Sequence, residues 1–175
     1  MTKRARTDRG FSMLELLIVL AIISIIAAFA VPRLLRARAT ANEASAIAGL
    51  RAVASAQDVY IQSCGKGGFA TSLVILGTPP PGSPIAFLSP DMTMSTTPIK
   101  SGFTFTMTAG AGATPTATDC NGQPTQSTFY GTAVPQTFGV GGSRSFAINA
   151  NHSIWESYTS TAPTEPFGPP AVPIQ

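Results

Sequence analysis

The sequence has few of the residues on which most catalytic and metal sites depend. Its 175 residues include one histidine, His152, and two cysteines, Cys64 and Cys120, and only 11% of them are charged. A lone histidine and two distant cysteines do not match the ligand spacing of a metal site, so we expect no metal and no cofactor. Ser153 follows His152, but no carboxylate is identifiable as the third member of a nucleophile–base arrangement. These absences argue against an enzyme.

Positive charge is scarce beyond the first ten residues. The whole chain carries a formal charge of +3 and has a pI of about 9.2. Residues 1–10 hold four basic residues and one acid, which leaves seven of each in the remainder. Beyond Ala52 there are three basic residues against five acids. Such a surface has little general attraction for phosphate backbones, so no general nucleic-acid binding is predicted.

A long apolar run dominates the N-terminal part of the chain. Residues 16–31 are sixteen consecutive residues of which only Ser24 is polar, and the segment from Phe11 reaches twenty-one residues before Pro32. As an α-helix it would be about 31 Å long, close to the thickness of a bilayer's hydrocarbon core. A secretory signal peptide has a shorter apolar core and a small-residue cleavage site, whereas this run continues into helix-forming sequence. We therefore predict a membrane-spanning helix that stays with the mature chain.

The residues before this run indicate its orientation. Four basic residues and Asp8 give residues 1–9 a net charge of +3. Because basic residues that flank a membrane helix are retained on the cytoplasmic side, the N-terminus should be cytoplasmic and the rest of the chain outside. Arg33, Arg36 and Arg38 follow the span and oppose this rule. A temporary span would account for them, because they would later contact other chains or lipid headgroups.

Glu15 interrupts the apolar run with a negative charge. An acid at the centre of a membrane helix costs on the order of 3 kcal/mol, and less near the end, so a compensating partner is expected. Cleavage after Gly10 would create a positive α-amino group on Phe11, four residues away. An amine of a neighbouring chain about 4 Å from Glu15 would attract it by roughly 4 kcal/mol before desolvation is subtracted. The alternative is an acid at a helix start that interacts with the helix dipole.

These residues carry a family resemblance. Residues 9–23 read Arg-Gly-Phe-Ser-Met-Leu-Glu-Leu-Leu-Ile-Val-Leu-Ala-Ile-Ile. This segment resembles the class III leader and N-terminal helix of type IV pilins and the related pseudopilins, and the likeness extends to about Arg38. The resemblance implies an α+β fold in which a long N-terminal helix packs on a small antiparallel sheet.

The resemblance also assigns roles to individual residues. It implies that a prepilin peptidase cuts between Gly10 and Phe11 and methylates the new amine of Phe11. Glu15 matches the acid that positions an incoming subunit during polymerisation. Pro32 matches a helix-breaking proline near which the helix loosens in the filament, although it could equally be an ordinary kink.

The implied product is a structural subunit of a surface filament. Its partners would be copies of itself in a helical filament, the prepilin peptidase, the inner-membrane assembly machinery and, before assembly, membrane lipid. The chain would be a single-pass inner-membrane protein first and part of an extracellular pilus afterwards. A type II secretion pseudopilin would share these N-terminal features, but often carries a calcium-binding acidic loop, for which only Glu156 and Glu165 are available here. A non-polymerising anchored adhesin or uptake receptor is the second alternative.

The helix is predicted to continue to about Ser63, because residues 33–63 are rich in alanine and arginine and lack proline. One face should be covered by the protein's own downstream region; it comprises Ile47, Leu50, Val53, Ala54, Tyr60 and Ile61, with Gln57 as a polar exception. The opposite face carries small side chains that let another helix approach, or that form an exposed alanine-rich surface; it comprises Ala48, Ala52, Ser55, Ala56 and Val59.

The sequence changes abruptly near Cys64, after which glycine and proline make up about a quarter of the residues. Alternation predicts strands over 102–107, 127–134 and 144–148, with a possible fourth over 153–158. Outside the membrane Cys64 and Cys120 could form a disulfide or remain as free thiols. In the resembling family the disulfide often encloses a loop nearer the C-terminus, so Cys64 departs from that pattern.

The predicted organisation follows from these segments. Residues 1–10 are a cleaved leader, 11–32 the transmembrane and filament-core helix, and 33–63 its amphipathic continuation. Residues 64–158 form an extracytoplasmic β-rich region, and residues 159–175, with five prolines, an extended tail.

Overall fold

The structure, a computed structural model, describes residues 10–174. The described residues divide into two units, 10–37 and 38–174. The first unit is, in its described part, the beginning of helix α1, which runs from Met13 to Ser63. The second unit contains the end of α1 and all the remaining elements.

Helix α1 is continuous through Pro32. This is the conformation of the single chain, and loosening of the helix near Pro32 in a filament stays a prediction. Proline removes one backbone hydrogen bond, but the residues on both sides are alanine, leucine and other good helix formers, which sustain the remaining bonds.

The part of α1 in the second unit buries most of the predicted face and, in addition, Ala56. Leu50, Val53, Ala54 and Tyr60 are buried, as predicted. Ile47 and Ile61 are only half-buried. Ala56, which was predicted on the opposite face, is buried. The apolar face is therefore broader and rotated towards Ala56 relative to the predicted one.

A six-stranded antiparallel sheet lies against this helix face, in the order β2-β3-β5-β6-β7-β8. Its strands are β2 (Ile99–Lys100), β3 (Phe103–Ala109), β5 (Phe129–Pro135), β6 (Ser145–Asn149), β7 (Ile154–Ser157) and β8 (Val172–Pro173). Two short strands, β1 (Phe69–Ala70) and β4 (Thr125–Gln126), pair separately. The helices α2 (Leu73–Leu76) and α3 (Pro90–Thr93) are single turns. The fold is thus α+β, with a long N-terminal helix packed on antiparallel sheets, as the sequence predicts.

The four predicted strands correspond to β3, β5, β6 and β7. Alternate side chains of β3 point to the helix, and Phe103, Phe105 and Met107 are buried in the core. Gly49 of α1 faces this strand, and a Cβ atom there would lie 2.8 Å from the Phe105 ring. A glycine in mid-helix costs about 1 kcal/mol relative to alanine, which here is offset by the close approach of the aromatic ring.

The C-terminal segment is not the extended tail that its prolines predicted. Residues 159–174 fold back across the outer face of the sheet, and β8 adds a strand beside β7. Trp155 of β7 stacks on Phe167 with 5.4 Å between ring centroids, and the hydroxyl of Ser145 donates to the carbonyl of Thr159 at 2.7 Å. The chain itself therefore covers the part of the outer face formed by β6 and β7.

Candidate functional site

The first unit presents a surface of large apolar side chains. Every large apolar side chain between Phe11 and Leu35 is at least 45% exposed. We call the side chains of residues 11–35 the assembly surface. The helix that carries them is long and apolar enough to cross a membrane. Burial of this surface against lipid or against like helices would stabilise either state by about 25 cal/mol per Å² of apolar area removed from water.

The assembly surface begins with a helix cap that involves Glu15. The backbone N–H of Ser12 donates to Glu15 Oε2 at 3.0 Å, and the backbone N–H of Leu14 donates to Ser12 Oγ at 3.2 Å. This reciprocal arrangement is a capping box, which satisfies two of the free N–H groups at a helix start. In the single chain Glu15 therefore has a local role, because it helps to cap the start of its own helix.

The other predicted residues of this region lie beside the cap. Gly10 and Phe11 are exposed, and Phe11 is 85% exposed. Residues 1–9 of the predicted leader lie outside the described residues. The junction between Gly10 and Phe11 precedes the first helical residue, Met13, and is thus in non-helical backbone.

The second unit exposes a further strip of α1. Ala48, Ala52, Ser55 and Val59 are exposed. They follow one another at spacings of three or four residues, which places them on one side of the helix. Only Ala56 of the predicted set is absent from this strip, since it belongs to the core.

An ion-pair cluster fixes α1 to the sheet in the second unit. Glu43, only 4% exposed, accepts hydrogen bonds through Oε2 from Arg144 Nε at 2.9 Å and Nη2 at 2.7 Å. Its Oε1 accepts from the backbone N–H of Ser143 at 2.6 Å and from the Ser143 hydroxyl at 3.0 Å. Arg144 Nη1 donates to Glu156 Oε2 at 2.6 Å. The two carboxylates thus share one guanidinium.

The electrostatics of this cluster follow from its hydrogen bonds. Burial alone would raise the pKa of Glu43, but donation from Ser143 and Arg144, together with the charge of Arg144, lowers it below its usual value of 4.5. Burial would lower the pKa of Arg144, and the two carboxylates outweigh that effect and raise it. Each group is therefore held in its charged form by the others.

Two sets of hydrogen bonds and a disulfide attach the end of α1 to the rest of the second unit. The side chain of Gln57, fully buried, pairs with the backbone of Ala70 through both its amide nitrogen, at 3.0 Å, and its oxygen, at 2.9 Å. Tyr60 donates its hydroxyl to Asp119 at 2.8 Å. Next to Asp119, Cys120 is joined to Cys64 by a disulfide that spans 56 residues, with 4.8 Å between the Cα atoms.

The sequence interpretation did not assign a role to Glu43, although a signal was present. Residues 43, 46, 50, 53, 57 and 60 follow the helical spacing of a single buried face. A carboxylate on that face requires a buried cation, and Arg144 is one of only three basic residues beyond Ala52.

The N-terminal segment is similar to known proteins. Residues 5–31 match the prokaryotic N-terminal methylation motif. A stretch of 55 residues, 31% of this chain, is 46% identical to the type IV wide pilus major component PilA4 of Thermus thermophilus. It covers 42% of that protein, so the chain matches less than half of this relative's length. No solved structure gives a significant match to the chain.

Proposed function

We propose that the chain is a prepilin of the type IV pilin family, which the similarity of its N-terminal segment supports, and that it polymerises into a type IV pilus-like surface filament. Proteins of this family are structural subunits rather than enzymes. In the proposed pathway residues 1–10 are the leader, a prepilin peptidase cuts between Gly10 and Phe11, and the amine of Phe11 is methylated.

The exposed assembly surface is the observation that carries this proposal. Its large apolar side chains are all at least 45% exposed, and a chain in water would not leave so large an apolar surface uncovered. Membrane lipid would cover it before assembly, and the same helix of neighbouring copies would cover it in the filament. The exposed strip of small residues from Ala48 to Val59 would extend this helix contact into the second unit.

Glu15 gives the proposed polymerisation its axial register. Its Oε2 is engaged by the N–H of Ser12, whereas Oε1 has no partner among the described residues. A carboxylate can accept several hydrogen bonds, so Oε1 is available to the methylated amine of a neighbouring chain. The capping box would hold the carboxylate in place for that contact, and the helix could loosen near Pro32 as subunits pack.

The proposed location follows from the same segment. The basic residues of the leader would retain the N-terminus in the cytoplasm, and the second unit would lie outside the inner membrane until assembly. The partners would be the peptidase and the inner-membrane assembly machinery first, and other copies of the chain afterwards. The disulfide between Cys64 and Cys120 suits an oxidising compartment of this kind.

A pseudopilin of a type II secretion system is less well supported. The two acids that could have served a C-terminal calcium loop are otherwise engaged, since Glu156 pairs with Arg144 at 2.6 Å and Glu165 accepts from Asn149 at 2.6 Å. A non-polymerising adhesin or uptake receptor would need only an anchor, and would not need an acid inside it.

The proposal can be tested by two substitutions at Glu15. Glu15→Gln removes the negative charge but keeps a side-chain acceptor for the capping box, whereas Glu15→Ala removes both. If Glu15 acts through its charge on a neighbouring amine, both variants insert into the membrane, and both give at least about tenfold less sheared filament by electron microscopy, since about 4 kcal/mol of attraction is lost before desolvation.

Ser24→Ala is the matched control, because Ser24 is the only polar residue of 16–31 and its hydroxyl donates within the helix, to the carbonyl of Leu20 at 2.7 Å. It should leave filament yield unchanged. Wild-type yield in Glu15→Gln would mean that the acid serves only as a helix cap, and the proposed contact between subunits would be wrong.

A further inference from the structure

A groove on the outer face of the sheet has the chemistry of a ligand site. It lies between the β6–β7 turn and the C-terminal segment and has a volume of about 340 Å³. The residues that line it include Asn149, Asn151, Ser153, Trp155, Glu165 and Phe167. All belong to the second unit, so the groove does not depend on the assembly surface or on filament formation.

Two aromatic side chains, Trp155 and Phe167, line this β6–β7 groove. Trp155 and Phe167 are both half-buried and stack with their ring planes 21° apart. Phe167 also contacts Tyr130, with 6.2 Å between centroids. The rings are therefore held in place before any ligand arrives, and they offer contact area at a low cost in conformational entropy.

The groove is also lined by polar side chains, of which some are already hydrogen-bonded within the protein and others are not. Glu165 is fixed, because its Oε1 accepts from Asn149 Nδ2 at 2.6 Å and its Oε2 accepts from the backbone N–H of Ala111 at 2.6 Å. The side chains of Asn151 and Ser153 are exposed and have no hydrogen-bond partner among the described residues. The carboxylate of Glu165, which can accept further hydrogen bonds, and the unpaired side chains of Asn151 and Ser153 thus line the groove beside the aromatic rings.

We propose that the β6–β7 groove binds a neutral saccharide. A sugar ring has an apolar face of C–H bonds, which packs on the negative face of an aromatic ring, and an edge of hydroxyl groups, which bond to amides, hydroxyls and carboxylates. Among the described residues no lysine or arginine lines the groove, and the charge of Glu165 repels anions. These two features select a neutral ligand over an acidic one.

The chain's single tryptophan makes the test direct, because Trp155 lies in the groove and its fluorescence reports on no other site. The probes are maltohexaose, cellohexaose and chitohexaose, with hexagalacturonate as the acidic comparison, added to the full chain in detergent. At least one neutral probe should change Trp155 emission saturably, with a Kd of about 1 mM as expected of a shallow, partly open groove. Hexagalacturonate should give no saturable change.

Two substitutions then locate the contact. Asn151→Ala and Ser153→Ala should each raise the Kd about threefold to tenfold, which is the contribution of one hydrogen bond. Gln136→Ala is the matched control, because Gln136 is an exposed amide on the β5–β6 loop and its loss should leave the Kd unchanged. The proposal is overturned if no neutral probe gives a saturable change, or if the Kd is the same in Asn151→Ala, Ser153→Ala and wild type. Filament yield should be unaffected by both variants, which separates this result from that of the Glu15 experiment.

Discussion

The ion-pair cluster around Arg144 makes a quantitative prediction about stability. Glu43 receives four hydrogen bonds from Ser143 and Arg144 and is almost wholly buried. Glu43→Ala would leave the guanidinium with Glu156 alone and would leave the Ser143 N–H without an acceptor. Removal of one partner of a buried ion pair costs about 3–5 kcal/mol. Because the Arg144 side chain is 25% exposed, we expect the low end, about 3 kcal/mol.

Glu43→Gln is the milder change and separates charge from shape. It keeps one oxygen for the donors of Ser143 but loses the charge that Arg144 needs, so we expect a loss of about 2 kcal/mol. Asp58→Asn is the matched control on the same helix. Asp58 also pairs with a residue of the sheet region, His152 at 3.2 Å, but both side chains are nearly half exposed, so its loss should cost no more than about 0.5 kcal/mol.

Urea unfolding of the full chain in detergent, followed by Trp155 fluorescence, measures all three variants. The pH dependence adds a second readout. A carboxylate whose pKa is lowered by folding stabilises the protein above its unfolded-state pKa, and that contribution is lost as the pH falls through the lower folded-state pKa. Wild type should therefore lose stability below about pH 4.5 by more than Glu43→Gln does. Equal unfolding midpoints for Glu43→Gln and Asp58→Asn would refute the reasoning.

Three other variants test the packing of the second unit by the same unfolding assay. Gly49→Ala should destabilise by about 1–3 kcal/mol in spite of its better helix propensity, because the new methyl group meets the Phe105 ring at 2.8 Å; a more stable variant would show that the ring moves freely aside. Gln57→Ala should cost about 2–3 kcal/mol, because it leaves the backbone N–H and C=O of β1 unpaired in the core; a loss below about 0.5 kcal/mol would contradict this. Replacement of Cys64 and Cys120 by serine should cost about 4 kcal/mol, from closure of a 56-residue loop, and reduction of wild type should reproduce the effect.

The elements that the sequence predicts well are those set by local periodicity. The apolar run and the alanine-rich segment predict α1 and its end near Ser63, and alternation over 102–107 predicts β3, which spans Phe103–Ala109. The prediction that Ala56 lies on the opposite face was wrong, because a helix covered by a wide sheet buries side chains beyond the stripe that its large apolar residues mark.

The elements that the sequence does not reveal depend on distant partners. Glu43 and Arg144 are 101 residues apart, and no local pattern pairs them. Strand β8 is only two residues long and contains Pro173, so its pairing with β7 comes from the sheet edge and the Trp155 stack rather than from strand propensity. Proline content alone therefore predicts an extended tail, whereas the segment folds onto β7 and packs on Trp155.

The residues of the candidate site can be named from the sequence because they lie close together in the chain, and their roles in cleavage, methylation and assembly stay predictions. The Gly10–Phe11 junction, Glu15 and the apolar run are adjacent in the chain and need no tertiary structure to meet. The capping box adds one detail, namely that Ser12 is the residue that holds Glu15 in the single chain.

The most direct test of the account is N-terminal mass spectrometry of the chain released by shearing from the surface of its native cells. We predict fibres in the sheared material, and in them a chain that begins at Phe11 with a methyl group on its amine. A chain that still carries Met1 and remains with the cells as a dispersed monomer would contradict the proposal that cleavage and bundling of the apolar helices build a filament.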